Sequence, residues 1–197
     1  MKEVTTVGDY RLKISYDEIS DSPRDWCNLG TFITWERGSS SPDTNDFARP
    51  EDFMEWWTEN GEGGVLLPVF KFEHSGVAYS TVPFGDRWDS GQVGFIYALA
   101  GTIEHDLIDK DRTEECLQAE VVEYSQWANG EVYSYTLERR VAHECGCDNC
   151  DYDGWDLVDS CGGYVGGIDL RDLDLPTEIL EAASKLSGVF DTRVSSK

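Results

Sequence analysis

The charges of this chain are unevenly spread, and the unevenness decides where a core can form. Residues 65–103 carry three acidic and two basic side chains. Residues 1–64 carry 14 and 6, residues 104–131 carry 9 and 2, and residues 144–174 carry 9 and 1. A sheet buried on both faces needs a stretch poor in charge, so residues 65–103 are expected to supply the central sheet between two acidic blocks. The net charge of -23 does not describe a disordered acidic chain, because 40% of the residues are hydrophobic and seven are Trp. At 197 residues the chain fits one domain that can bury roughly 70% of its unfolded surface without covalent staples.

Local patterns predict an α+β fold, a mainly antiparallel sheet with about three flanking helices in a single domain over residues 1–197. Tyr10–Tyr16 (YRLKISY) alternates as a strand does, and Gly30–Glu36 (GTFITWE) reads as another. Val65–Glu73 and Val77–Pro83 read as a hairpin about His74-Ser75-Gly76, with Pro68 and Pro83 at edges or bulges. Gln92–Leu99 (QVGFIYAL) reads as the most buried strand. Val132–Arg140 and Trp155–Val165 read as a second hairpin, with a Cys/His-rich tip at about residues 141–154. Helices are expected after Pro50, whose fixed φ suits a first turn, over Asp111–Ala128 with Thr113 as a cap, and over Leu175–Leu186. Trp26, Trp56 and Trp88 are read as core residues before they are read as interface anchors.

Three groups of residues invite a chemical reading. His143, Cys145, Cys147 and Cys150 place one imidazole and three thiols within eight residues, with a C-x-x-C spacing that suits zinc. A structural Zn ion is the cofactor such a set would hold; a reduced thiol cluster is the plain alternative, and Cys161 or Cys27 are candidate substitutes for one ligand. Neither an H-E-x-x-H helix nor a deaminase order of ligands occurs, which argues against a catalytic zinc. His74, Asp89 and Ser90 bracket one hairpin and present the residue types of a small hydrolase, but without a G-x-S-x-G elbow or a recognisable oxyanion hole. Turn residues that satisfy their own backbone explain them as well.

The third group is the acidic density itself: Glu104, Asp106, Asp109, Asp111, Glu114 and Glu115, then Asp151, Asp153 and Asp156. Carboxylates arrayed on a surface can imitate a phosphate backbone and occupy a groove lined by Lys and Arg. A field of this sign repels nucleic acid and anionic membranes and steers the chain toward basic proteins. Direct nucleic-acid binding and membrane association are therefore not expected, and a homodimer is left open. A solvated face that only keeps the protein soluble is the plain alternative. Residues 1–20 show no apolar leader, and six Cys in that setting read as free thiols or metal ligands, so a reducing cytoplasm is expected.

Ser22–Thr31 (SPRDWCNLGT), Phe72–Gly76 (FEHSG) and Trp88–Tyr97 (WDSGQVGFIY) together resemble an uncharacterised family of small proteins from phages, prophages and mobile elements. The likeness runs from about Tyr10 to Gly166 and includes Asn129–Tyr133 and Asp159–Gly162, while the His143–Cys150 tip departs from a usually shorter one. The family lends no residue a role. The resemblance implies a bacterial host cytoplasm and an accessory gene. By analogy it implies an inhibitor of a host defence nucleoprotein, of the anti-CRISPR or antirestriction type. A zinc-stabilised interaction module without an electrostatic role is the further alternative.

Overall fold

The computed structural model describes residues 2–18, 20–85, 88–106, 108–143 and 152–183. The α+β class holds, with antiparallel pairing throughout. The strands form two four-stranded sheets rather than one central sheet. Each belongs to its own compact unit, Ser22–Asn129 in one and Met1–Asp21 with Gly130–Lys197 in the other.

In the Ser22–Asn129 unit the strands are β3 (Thr31–Thr34), β4 (Val65–Glu73), β5 (Val77–Ser80) and β6 (Ser90–Ala98), in the order β3-β6-β4-β5. The expected hairpin is β4–β5, and the QVGFIYAL segment lies inside the sheet as β6. Pro68 is tolerated because β5 pairs only with Phe70–Glu73, which leaves the flank of β4 at Pro68 without a partner strand. A register shift at Val69/Phe70 follows it.

Both faces of this sheet are covered. On one, Phe32, Val65, Val69, Tyr79 and Ile96 pack with Leu117 and Val121. Those last two residues lie on α3 (Lys110–Ala128). On the other face, Phe53 of α1 (Pro50–Asn60) is fully buried among Trp35, Phe47, Trp56, Trp57, Phe95 and Tyr97. Burying one such ring contributes about 1.5–3 kcal/mol. Pro50 starts α1 and the acidic Glu51 and Asp52 favour its positive end. A helix that the sequence did not suggest, α2 (Ala100–His105), precedes α3 and buries Ile103.

Thr113 is not the cap of α3. Asp109 takes that place: its Oδ1 accepts from the Arg112 N–H at 2.9 Å. Thr113 is buried and its hydroxyl donates to the Asp109 carbonyl at 2.8 Å.

The sheet's two outer strands have their free edges covered by side chains. On β3, the Phe32 N–H donates to Asp43 Oδ2 (2.6 Å) and the Thr34 N–H to Ser41 Oγ (3.0 Å). Asn45 Nδ2 donates in turn to the Thr34 carbonyl (3.0 Å). On β5, the Tyr79 N–H donates to Ser125 Oγ (2.8 Å) and the Val77 N–H to Asn129 Oδ1 (3.3 Å). These bonds replace the neighbour strand that an open edge would otherwise recruit.

The second unit is built on β1 (Lys2–Val7), β2 (Tyr10–Tyr16), β7 (Val132–His143) and β8 (Tyr152–Val165), in the order β1-β2-β7-β8. Gly8, at φ 55°, allows the tight β1–β2 turn. Leu12, Ile14, Tyr135 and Leu137 form the inner face. They are closed over by Ile168, Leu170 and Leu175, and by Ile179 of α4 (Thr177–Ala183).

Candidate partner-binding surface

The acidic side chains fall into two chemical classes. The first is engaged in the fold. Arg24, whose side chain is 4% exposed, directs all five of its N–H groups to acceptors. Nε and Nη2 take Asp43 as a fork, at 2.9 and 2.6 Å. Nη1 reaches Glu120 Oε2 at 2.9 Å and Asn28 Oδ1 at 3.1 Å, and Nη2 also reaches the Gly30 carbonyl at 2.6 Å. Glu120 Oε1 accepts in addition from the Leu29 N–H at 2.7 Å. The loop before β3, the loop after it and helix α3 are thus tied at one guanidinium. Burial opposes the charge on Arg24, but the bonds to Asp43 and Glu120 outweigh it and hold the proton more firmly than usual.

Two smaller networks follow the same logic. Glu36 accepts from Lys71 Nζ (2.6 Å) and from the Tyr79 hydroxyl (3.1 Å). Burial and the Glu36 charge push the Tyr79 hydroxyl up, so it stays a donor. On the outer face of the other sheet, Glu138 bridges Arg11 (2.5 Å) and Lys13 (2.6 Å). Arg11 and Arg140 lie 4.2 and 5.4 Å from the centre of the Trp155 ring. Burial opposes ionisation of Glu138, yet the two cations hold its carboxyl below the usual range.

The second class faces solvent. Glu104, Asp106, Asp109, Asp111 and Glu115 are exposed around α2 and the first turns of α3, with Glu114 half-buried beside them. Asp106 pairs with His105 at 2.7 Å, and Asp109 is occupied as the α3 cap. Glu104, Asp111, Glu114 and Glu115 have no ion-pair partner among the described residues. Lys110 and Arg112 lie in the same stretch, leaving a local excess of six acids over two bases. Asp109 as the cap and Asp111 in the first turn also sit at the positive end of α3, which stabilises that helix by a few tenths of a kcal/mol each.

Of the remaining candidates, Asp156 is exposed on β8 opposite Arg139, in the other unit. Asp151 and the side chain of Asp153 lie outside the described residues, as do the His143 side chain and Cys145, Cys147 and Cys150. Cys27, Cys116 and Cys161 are free thiols, and the described residues contain no cluster of three or more metal-ligand side chains.

The register does bring the hydrolase candidates to one end of the sheet: the Glu73 N–H donates to the Asp89 carbonyl at 3.0 Å, and Ser90 pairs with Phe72. The exposed His74 ring, however, makes no hydrogen bond to Asp89 or Ser90; only its backbone N–H is engaged, with Gly76. A base that does not touch its nucleophile is not a prepared triad. Two surface hollows, one lined by Thr34 and Ser40–Asn45 and the other by Trp35, Pro50 and Gln92–Phe95, contain none of these residues.

Trp88 is 95% exposed, so it is not the core residue its type suggested, and Trp26 is also exposed. Sequence reasoning missed Arg24, which was legible only as part of a turn-rich segment. Its carboxylate partners are 19 and 96 positions away, and no local pattern marks them.

No protein-family profile matches the chain, and no curated protein or solved structure matches it either.

Proposed function

We propose that the protein is a binding protein whose acidic α2–α3 surface engages a basic nucleic-acid-binding protein and blocks its groove. One observation carries the reading: Asp43, Glu120, Glu36 and Glu138 are engaged by cations of the fold, whereas Glu104, Asp111, Glu114 and Glu115 have no ion-pair partner among the described residues. Carboxylates that stabilise no ion pair of their own are free to attract Lys and Arg of another molecule. The net charge of -23 extends that attraction to long-range steering. The resemblance to proteins of phages and mobile elements directs the search toward host defence nucleoproteins of the CRISPR or restriction type.

The test compares the wild-type chain with the variant Glu104→Lys, Asp106→Lys, Asp111→Lys, Glu115→Lys. Asp109 is left intact because it caps α3. Each protein is immobilised and exposed to nuclease-treated bacterial lysate at about 0.1 M and about 0.5 M salt, where screening of exposed charges differs strongly. The expected result is a basic nucleic-acid-binding protein held by the wild type at low salt only, absent from the variant, and released from its DNA or RNA by the purified wild-type chain. An identical set of proteins on wild type and variant would overturn the reading.

A further inference from the structure

Two Asn-Gly pairs occur in the sequence, Asn60-Gly61 and Asn129-Gly130. Such a pair can react with itself. The glycine peptide nitrogen attacks the side-chain carbonyl carbon of the asparagine, and glycine has no Cβ to hinder the approach. Closing the five-membered ring requires that nitrogen to give up any hydrogen bond it donates and the peptide to turn toward the side chain. The fold therefore decides which pair reacts, and it treats the two differently.

Asn60-Gly61 is locked. The Gly61 N–H donates to the Trp57 carbonyl at 2.8 Å, in the last turn of α1. The Trp57 ring fills the space that a Gly61 Cβ would take, so the peptide is packed as well as bonded. Asn60 Nδ2 donates to the Trp56 carbonyl at 2.8 Å, which holds the carboxamide back along the helix.

Asn129-Gly130 is open. Both residues are exposed. Gly130, at φ 75°, has no atom within 4 Å of its Cβ position. Its N–H has no hydrogen-bond acceptor among the described residues. The Asn129 carboxamide oxygen accepts from the Val77 N–H at 3.3 Å. A donor on that oxygen favours attack at the carbon, because negative charge develops on the oxygen as the bond forms.

We propose that Asn129 is a site of spontaneous deamidation. The Gly130 nitrogen loses its proton to hydroxide and bonds to Asn129 Cγ. The Cγ–Nδ2 bond breaks, and ammonia leaves with a proton taken from water. Water then opens the cyclic imide at either carbonyl, giving aspartate or isoaspartate. Either product adds one negative charge at the C-terminal, negative end of α3. In the isoaspartyl product the main chain runs through Cβ and Cγ, so the acceptor that capped Val77 becomes backbone. The cap on the β5 edge is then lost as the protein ages. This chemistry does not depend on the acidic-surface reading.

The full chain is incubated for days in mildly alkaline heavy-oxygen water, with and without concentrated urea. Conversion at each asparagine is read by peptide mass spectrometry. In native buffer Asn129 is expected to convert at least about tenfold faster than Asn60, since the Gly61 hydrogen bond and its packing are worth about that factor. In urea, where neither pair is held, the two rates should be comparable. The deamidated protein, separated by its added charge, should contain a fraction whose Val77 amide exchanges faster. Asn129→Asp, which has the charge without the longer main chain, should lack that fraction.

Equal rates at the two sites in native buffer, faster conversion at Asn60, or an unchanged Asn129 while the urea sample reacts would each overturn the proposal. Unaltered Val77 exchange in the deamidated protein would overturn the loss of the cap.

Discussion

Arg24→Ala should be among the most damaging substitutions in the chain, for a reason that a second substitution can expose. The guanidinium is nearly inaccessible and faces two carboxylates, Asp43 at 2.6 Å and Glu120 at 2.9 Å, both largely shielded from water. Removing it strands two negative charges beside each other and leaves the Gly30 carbonyl and Asn28 amide oxygen without this donor. Breaking a buried pair from one side costs about 3–5 kcal/mol, most of it from the charge left behind. With a urea m-value of about 2 kcal/mol/M, the midpoint should fall by about 1.5–2.5 M. Tryptophan fluorescence is a suitable signal, because six of the seven Trp lie between Ser22 and Asn129. If stranded charge is the cause, Glu120→Gln should recover about 1–2 kcal/mol in the Arg24→Ala background while destabilising the wild type. A loss below about 1 kcal/mol for Arg24→Ala, or a Glu120→Gln effect of the same sign in both backgrounds, would refute the reasoning.

Further expectations follow from single contacts. Gly94→Ala places a Cβ 2.0 Å from the Ile33 carbonyl oxygen across the β3–β6 pairing, a backbone atom that cannot step aside. It should cost about 3 kcal/mol or more, visible in the same urea titration. Asp109→Ala should cost about 1 kcal/mol by loss of the α3 cap, and Asp109→Ser should restore most of it. Glu138→Gln tests a pH dependence. Because Arg11 and Lys13 hold the folded carboxyl below its ordinary value, its contribution is complete above about pH 4.3 and is lost as pH falls through the lower folded value. Amide protection factors in β2 and β7, taken relative to the intrinsic exchange rate at each pH, should therefore fall in acid for the wild type, and Glu138→Gln should lack that component.

The strands and helices that the sequence made legible are those whose pattern is local. YRLKISY alternates and is β2, with Leu12 and Ile14 inward and Arg11 and Lys13 outward. The FEHSG turn joins β4 to β5 as its Gly and polar residues suggest. What the sequence hid was pairing. Nothing in Val132–His143 says that it aligns with Tyr10–Tyr16 rather than with the low-charge segment, because both choices bury an alternating face. β1 was hidden by its composition, since KEVTTV carries little apolar surface and is recruited by β2.

The acidic stretch at 104–115 was legible as composition. Which of its members are held by the fold was not: Asp109 becomes a cap and Asp106 takes His105, outcomes that depend on where α3 starts.

The order in which the chain is made acquires meaning from the split of one unit around the other. Arg11 and Glu138 are 127 positions apart in sequence, and β2 finds β7 only after everything from Ser22 to Asn129 has emerged. At synthesis rates of about 5–20 residues per second, β2 waits on the order of 6–25 s for its partner strand. The Ser22–Asn129 unit contains all its own strand partners and is free to close during that interval. Its closure restricts the conformations of the segment between β2 and β7, which lowers the entropy cost of joining them. The inserted unit is thus expected to close before the outer one, so substitutions that slow it, Gly94→Ala among them, should delay protection of β2 and β7.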